Sequence, residues 1–558
     1  MAKFDSENLI MIYQASFRDN WSLPALSQYG RGDVLTYGEL AEKIAKTHLL
    51  FRESKVKRGD KIAVMGKNTV EWVTVYMAAL TYGAVVVPVL SDFHPTDATH
   101  IINHSGAVLL FVSESTWDHM VFDEMPGLKA VFSLDNHQLM AEHPANSKAA
   151  EKAVARLAAN FMRLYPDGFK PEDVCYPLVD NNALAEINYT SGTTGFSKGV
   201  MLTLSNLAGN VIYGVESHLH FPGSHCLALL PLAHAYGAAF DMLTPLAAGG
   251  HVVALDKMPT PNVLLKAFAQ VKPNLILCVP LILEKIYRKQ IQPQLESPRV
   301  RRLLKLPIMK QLVYNKVRKS LVKAFGGEFA QVIVGGAPLN GQVEKFLHKI
   351  RFPFTVGYGM TECGPLISYT YWKEFIPGSS GRTLPGIMHS KIEGSDDPER
   401  VPGEICVKGQ NVMIGYYKNP EATEAVLDAD GWLHTGDMGT RSKDGTLFIR
   451  GRYKTMILTA TGQNIYPEEI EAKLNNMPFV TESLVVERGK GLEALVYPDY
   501  EQMDREKITI EQLPAVMEKV RKMLNERVAP YERIDRISLR ANEFEKTPKR
   551  SIKRYLYS

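Results

Sequence analysis

The chain predicts an α/β fold: a large N-terminal region of doubly covered, mainly parallel sheets with a short-strand subdomain, then a small α+β domain at the C-terminus. Three observations lead there. Over the first 140 residues helix-like and strand-like segments alternate, and a second such run spans about 180 to 360, which argues for parallel strands with helices on both faces. From 400 to 450 the pattern changes to short strands between Gly and Asp turns. After about 453 a small mixed unit remains.

The elements follow in order. Thr36 and Glu39 have the spacing of a capping box, so a helix is expected from there toward Arg52. Residues 61–66 read as a strand. Residues 72–90 carry no charge over a length that can span a bilayer. Gly83 and Pro88 divide them, however, into a helix before Gly83 and a buried strand at 84–87. A helix end is expected at 100–105 and strands at 107–112 and 130–134. The Ala-rich, charged stretch 146–164 predicts an exposed helix that interrupts this rhythm. In the C-terminal unit, strands are expected near 483–486 and 494–497 and a long helix at 511–527.

Composition excludes several classes. With 558 residues there is ample chain to bury several cores without metal or disulfide staples. Lys plus Arg number 64 and Asp plus Glu 60, a net charge of +4, which excludes a nucleic-acid binder acting through bulk charge. Hydrophobic residues at 45% and charged residues at 22% exclude a mostly disordered chain. The five cysteines, 175, 226, 278, 363 and 406, form no C-x-x-C pair, so neither a disulfide scaffold nor a zinc site is expected. A reducing, cytoplasmic setting fits them. The N-terminus lacks a basic segment followed by an apolar one, so no signal peptide is expected. The stretch from Arg299 to Lys323 holds nine Lys or Arg and no acid, interleaved with Leu303, Leu304, Leu306, Ile308, Met309, Leu312, Val313 and Val317. It reads as the solvated face of surface helices, or as a membrane-peripheral or polyanion contact.

The strongest chemical signal is Tyr189-Thr190-Ser191-Gly192-Thr193-Thr194-Gly195-Phe196-Ser197-Lys198-Gly199. Glycines let backbone N–H groups approach an anion, hydroxyls add donors and Lys198 adds a point charge. That is chemistry for a polyphosphate. The spacing is neither that of a Walker A loop nor that of the G-x-G-x-x-G dinucleotide fingerprint.

This loop resembles the phosphate-binding signature of the adenylate-forming enzymes, which include acyl-CoA synthetases, firefly-type luciferases and the adenylation domains of peptide synthetases. Further segments resemble that family's motifs in the same order. They are Pro231 to Gly237 with His234 (acyl site), Gly335-Gly336-Ala337-Pro338-Leu339 (adenine turn) and Gly357-Tyr358-Gly359-Met360-Thr361-Glu362 (adenine, α-phosphate and magnesium). Gly431 to Asp437 resembles the ribose motif, and Gly451-Arg452-Tyr453-Lys454, continuing through 464–471, the hinge. The resemblance covers about residues 30 to 558 and is closest to medium- and long-chain fatty acyl-CoA synthetases.

It implies a division into 1–450 and a mobile 451–558, turning about Lys454. It implies that Thr190, Ser191, Gly192, Thr193, Thr194, Gly195, Gly336, Ala337, Pro338, Tyr358, Gly359, Asp437 and Arg452 bind nucleotide. Tyr358 offers a face for adenine, and Asp437 can accept both ribose hydroxyls. Glu362, beside Thr361, is a hard oxygen ligand for Mg²⁺. His234 and Gly237 belong to the acyl site, while Gly462 and Asn464 line the thiol's approach. ATP, a carboxylic acid and CoA, or an acyl carrier protein in place of CoA, are the implied partners.

One position departs from the family pattern. The C-terminal motif usually carries a lysine where Ser551 stands, so the resemblance also leaves open a catalytically impaired acyl- or nucleotide-binding homologue. In an extended segment Lys549 and Lys553 would share a side with Ser551, and Lys549, nearer Thr547, is the favoured substitute. An amino-acid-activating member usually has an aspartate after His234; here it is Ala235, which leaves an α-ammonium unpartnered and favours a simple carboxylic acid, a fatty acid above all.

Overall fold

A computed structural model describes residues 7–190, 197–458, 464–489, 491–546 and 552–557. Thr36 caps the helix Tyr37–Glu53, and its side chain and backbone exchange hydrogen bonds with Glu39, closing the capping box. The uncharged stretch divides as its sequence requires. The helix Val70–Tyr82 ends at Gly83 in the left-handed conformation, and the strand Val85–Leu90 follows, fully buried. No helix among the described residues is long and apolar enough to cross a membrane.

Two large sheets form the body. In the eight-stranded sheet Lys61–Gly66, Val85–Leu90, Ala107–Val112, Ala130–Ser133 and Leu184–Thr190 run parallel. Pro88 sits inside this sheet and faces Val64 of the neighbouring strand. At one edge Lys198–Thr203 turns back antiparallel to Leu184–Thr190 and carries the short strand Gly415–Tyr416.

The seven-stranded sheet aligns Phe354–Val356, Gln331–Val334, Leu275–Cys278, His225–Ala228, His251–Ala254 and Pro24–Gln28 in parallel, with Val34–Thr36 antiparallel at the edge. The short-strand region forms an antiparallel sheet of Met388–Glu393, Gly403–Gly409, Leu433–Arg441 and Leu447–Arg452.

The buried apolar side chains fall into separate clusters. One runs from Leu9 to Leu447. A second, from Ile465 to Ile534, fills the small unit built from Val480–Arg488, Gly491–Pro498, Ile534–Leu539 and the helix Leu513–Asn525. The helix Ala149–Leu164 is exposed along most of its length, as expected, but one face packs inward. Ala149, Ala150, Ala153 and Phe161 are buried, and Lys46 of the helix Tyr37–Glu53 lies over the Phe161 ring. Alanines let two helices approach closely, so an Ala-rich charged pattern also suits a packed face.

Candidate active site

Three of the sequence motifs lie at the carboxyl ends of parallel strands of the seven-stranded sheet, where an open α/β sheet binds its ligands. Residues 229–237 follow the strand ending at Ala228, 335–338 the one ending at Val334, and 357–362 the one ending at Val356. Hydrogen bonds from Gly335 N–H to the Cys278 carbonyl and from Gly357 N–H to the Val334 carbonyl tie these loops to neighbouring strand ends. Gly336, Ala337 and Pro338 are exposed there. A Cβ on Gly359 would stand 2.3 Å from the Pro365 carbonyl, and one on Gly237 would stand 2.6 Å from the Pro231 carbonyl. Both positions therefore require glycine for the backbone to double back. His234 precedes the short helix Ala235–Gly237 and is half-buried. Tyr236 ties this loop to the adenine turn, because its hydroxyl donates to the Ile333 carbonyl and its ring lies against Gly335.

Tyr358, Asp437 and Arg452 meet, although nearly a hundred positions separate the first from the last. The Tyr358 hydroxyl donates to Asp437 Oδ2 at 2.6 Å, and Arg452 Nε lies 2.8 Å from Oδ1. Asp437 and Arg452 are opposite one another in the antiparallel ladder. Asp437 is 5% exposed. Burial pushes its carboxyl above the usual carboxylate range, opposed by the Arg452 charge and the Tyr358 hydrogen bond. Each carboxylate oxygen keeps a lone pair for a ribose hydroxyl. The turn before Asp437 is strapped by Glu404, which accepts from Gly436 N–H at 3.0 Å and pairs with His434 Nδ1 at 2.9 Å.

Lys198 and Glu362 converge on one tyrosine. Lys198 Nζ lies 4.8 Å from the centre of the Tyr416 ring, and the Tyr416 hydroxyl donates to Glu362 Oε1 at 2.8 Å. Tyr416 reaches this point because its strand pairs with Lys198–Thr203 at the sheet edge. Thr361 and Glu362 lie in a tight 3₁₀ turn, Thr361 buried and Glu362 half-buried. Asn210 braces that turn by donating to the Cys363 carbonyl and accepting from Leu366 N–H. Thr190 and Lys198 face each other where the phosphate loop leaves and re-enters the sheet. Ser191, Gly192, Thr193, Thr194 and Gly195 of that loop lie outside the described residues, as do Gly462, Lys549 and Ser551.

Against known families, residues 14–417 match the AMP-binding enzyme model and residues 454–557 match the model of the AMP-binding enzyme C-terminal domain. The chain belongs to the AMP-binding enzyme family. The long-chain-fatty-acid–CoA ligase FadD15 of Mycobacterium bovis is 28% identical over 481 residues, covering 81% of this chain and 75% of that protein. The peroxisomal long chain acyl-CoA synthetase 7 of Arabidopsis thaliana is 30% identical over 490 residues, covering 82% and 67%. Among solved structures, ATP-bound MatB from Rhodopseudomonas palustris shares the fold with a TM-score of 0.76 at 24% identity, over 99% of this chain and 98% of that one.

In this AMP-binding enzyme Lys454 is exposed, in the 3₁₀ turn Tyr453–Thr455 directly after the last strand of the antiparallel sheet. Asn464 opens the short strand Asn464–Ile465, paired with Ile457–Leu458. Lys546 and Ile552 face each other in an antiparallel bridge. Lys553 pairs with Glu545 at 3.7 Å and Lys546 with Glu482 at 2.5 Å. Tyr416, Glu404 and Asn210 carry no motif of their own. Sequence reasoning missed them because each acts through a partner thirty or more residues away.

Proposed function

We propose that this AMP-binding enzyme is an AMP-forming acid–thiol ligase that activates a fatty acid and transfers it to CoA. A carboxylate oxygen of the acid attacks the α-phosphorus of ATP, and the bond to pyrophosphate breaks. The thiol sulfur then attacks the acyl carbon of the adenylate, and AMP leaves. The observation that carries the nucleotide part is the convergence of Lys198, Tyr416 and Glu362 on one side and of Tyr358, Asp437 and Arg452 on the other, with Tyr358 and Glu362 in the loop after the strand ending at Val356. The first group suits the triphosphate and the second the nucleoside. The fatty-acid part is supported by the relatives' names and by Ala235, which offers no partner to an α-ammonium group.

In this reading Asp437 holds the ribose, and Tyr358 both orients Asp437 and lies beside adenine, while Gly336, Ala337, Pro338 and Gly359 shape the base pocket. Thr190 and residues 191–195 cradle the phosphates, with Lys198 offsetting the repulsion between two anionic reactants. The donor set fits Mg²⁺. Tyr416 occupies one Glu362 oxygen and leaves the other, beside Thr361, as a hard ligand that a magnesium ion would complete with waters and phosphate oxygens. Such an ion would neutralise the leaving pyrophosphate. His234 and Gly237 border the acid. Residues 451–558 form the mobile unit, turning at Lys454 so that Gly462 and Asn464 meet the thiol. Lys549 supplies the charge that Ser551 lacks; the pairing of Lys553 with Glu545 supports that choice.

The test is pyrophosphate release from ATP and a long-chain fatty acid, with CoA, with acyl carrier protein and with neither. Thioester formed with CoA supports the proposal. Thioester formed on the carrier protein alone replaces CoA as acceptor. Absence of pyrophosphate under all three conditions removes the ligase reading.

A further inference from the structure

We propose that the outer face of the helical segment 298–324 seats the protein on an anionic lipid bilayer. The segment comprises the helices Pro298–Leu303 and Pro307–Ala324. On the longer helix, Ile308, Leu312, Lys316, Lys319 and Lys323 recur at intervals of three and four, so they form one stripe, and all five are exposed. The opposite side is anchored: Leu321 is buried, and Tyr314, Val317 and Val322 pack on the main core. The stripe therefore faces outward on a fixed support.

Its two halves differ. At the leading end Ile308 is 79% exposed, Leu312 56% and the preceding Leu306 56%. Water is a poor solvent for three large apolar side chains this close together. At the trailing end stand Lys316, Lys319 and Lys323, and beside the leading end Arg299, Arg301, Arg302 and Lys305 are also exposed.

The charges are uncompensated. Among the described residues none of the nine basic side chains from Arg299 to Lys323 forms an ion pair, and the stretch contains no acid. The stretch alone carries more positive charge than the net +4 of the whole chain, so the rest of the molecule is net acidic. An anionic surface would attract this face and repel the others, which fixes the orientation of approach. Apolar tips flanked by cations match an interface where hydrocarbon lies just below phosphate groups. A nucleic acid would use the cations but give Ile308 and Leu312 nothing to contact. The fatty-acid reading supplies the use of such a seat, since long-chain acids partition into bilayers, but binding itself does not depend on that reading.

The test is sedimentation of the full chain with vesicles of phosphatidylcholine alone or mixed with phosphatidylglycerol. The chain should bind the anionic vesicles at low salt and dissociate as salt screens the charges. The variant Lys316→Gln/Lys319→Gln/Lys323→Gln should bind about 100-fold more weakly. Ile308→Ser/Leu312→Ser should weaken binding about tenfold or more without changing its salt dependence. Adenylation of a short, water-soluble acid should be unaltered in both variants, which separates this proposal from the ligase reading. Absence of binding to anionic vesicles at low salt overturns it. So does vesicle binding indifferent to both variants, and so does preference for duplex DNA with no effect of the Ile308/Leu312 changes.

Discussion

Around Tyr358 and Asp437 the polar groups are buried and partnered within the body that holds the large core, and their partners stand on neighbouring strands and turns. Between that body and the small C-terminal unit the contacts are of another kind. Arg450 pairs with Glu469 at 3.5 Å, Arg288 donates to the Asn475 carbonyl at 3.1 Å, and the Asn340 amide donates to Asn476 Oδ1 at 2.5 Å. The apolar clusters on the two sides remain separate. Burial makes an arrangement costly to change, whereas polar contacts at a wet seam exchange for water at little cost. Tyr358 and Asp437 are thus held by burial, whereas these contacts across the units are polar; in the proposed reading the first are the preorganised nucleotide face and the second the seam that is remade.

The largest effect that would sharpen this contrast is expected at the seam. Lys454→Pro fixes φ and removes a backbone donor at the pivot. One half-reaction should be lost and the other retained, measured as pyrophosphate release and as thioester formation from supplied acyl-adenylate. Equal loss of both, in a folded protein, would mean that the seam does not move between steps.

On the preorganised side, Glu362→Ala should lower pyrophosphate release by a factor on the order of 10² to 10³, the scale for one lost electrostatic stabiliser. Normal turnover of this variant would remove Glu362 from the phosphate site.

Burial on that side also has a signature in pH. Glu344, on the helix Gly341–Lys349 beside the adenine turn, accepts from Gly378 N–H, and burial raises its carboxyl to about 7 from 4.5. The raised value favours the protonated form in the folded state. The natural chain therefore keeps this stability below pH 4.5 and loses it as pH rises toward about 7. Glu344→Gln does not titrate. It should match the natural chain near pH 4.5 and exceed it above pH 7 by about 3 kcal/mol, read by urea unfolding at the two pH values. A difference independent of pH would show that Glu344 is not held in its neutral form.

The smallest effect is expected at Tyr416→Phe. The ring under Lys198 is kept and only the hydrogen bond to Glu362 is lost. Pyrophosphate release should fall about tenfold, as for one hydrogen bond to a charged group. A loss as large as that of Glu362→Ala would place Tyr416 in direct contact with the reacting groups.

Local rules made much of the molecule legible in its sequence. Thr36 and Glu39 announce a helix start, Gly83 divides helix from strand, and residues 61–66 and 107–112 form the strands their patterns indicate. The glycines and hydroxyls between Tyr189 and Gly199 state a polyphosphate chemistry before any fold is known. These signals are short-range, because capping, chain reversal and side-chain periodicity act over a few residues. What the sequence could not state was company. Tyr416 beneath Lys198, Glu404 strapping the turn before Asp437, Asn210 bracing residues 361–366, and the bridge of Lys546 with Ile552 all depend on which strands lie side by side. The outward aim of Ile308 and Leu312 depends on it too. Sequence by itself determined the elements and the chemistry available at each motif. Only the tertiary structure decided which groups share a charge, a proton or a face, because strand order and packing join residues that no local interaction connects.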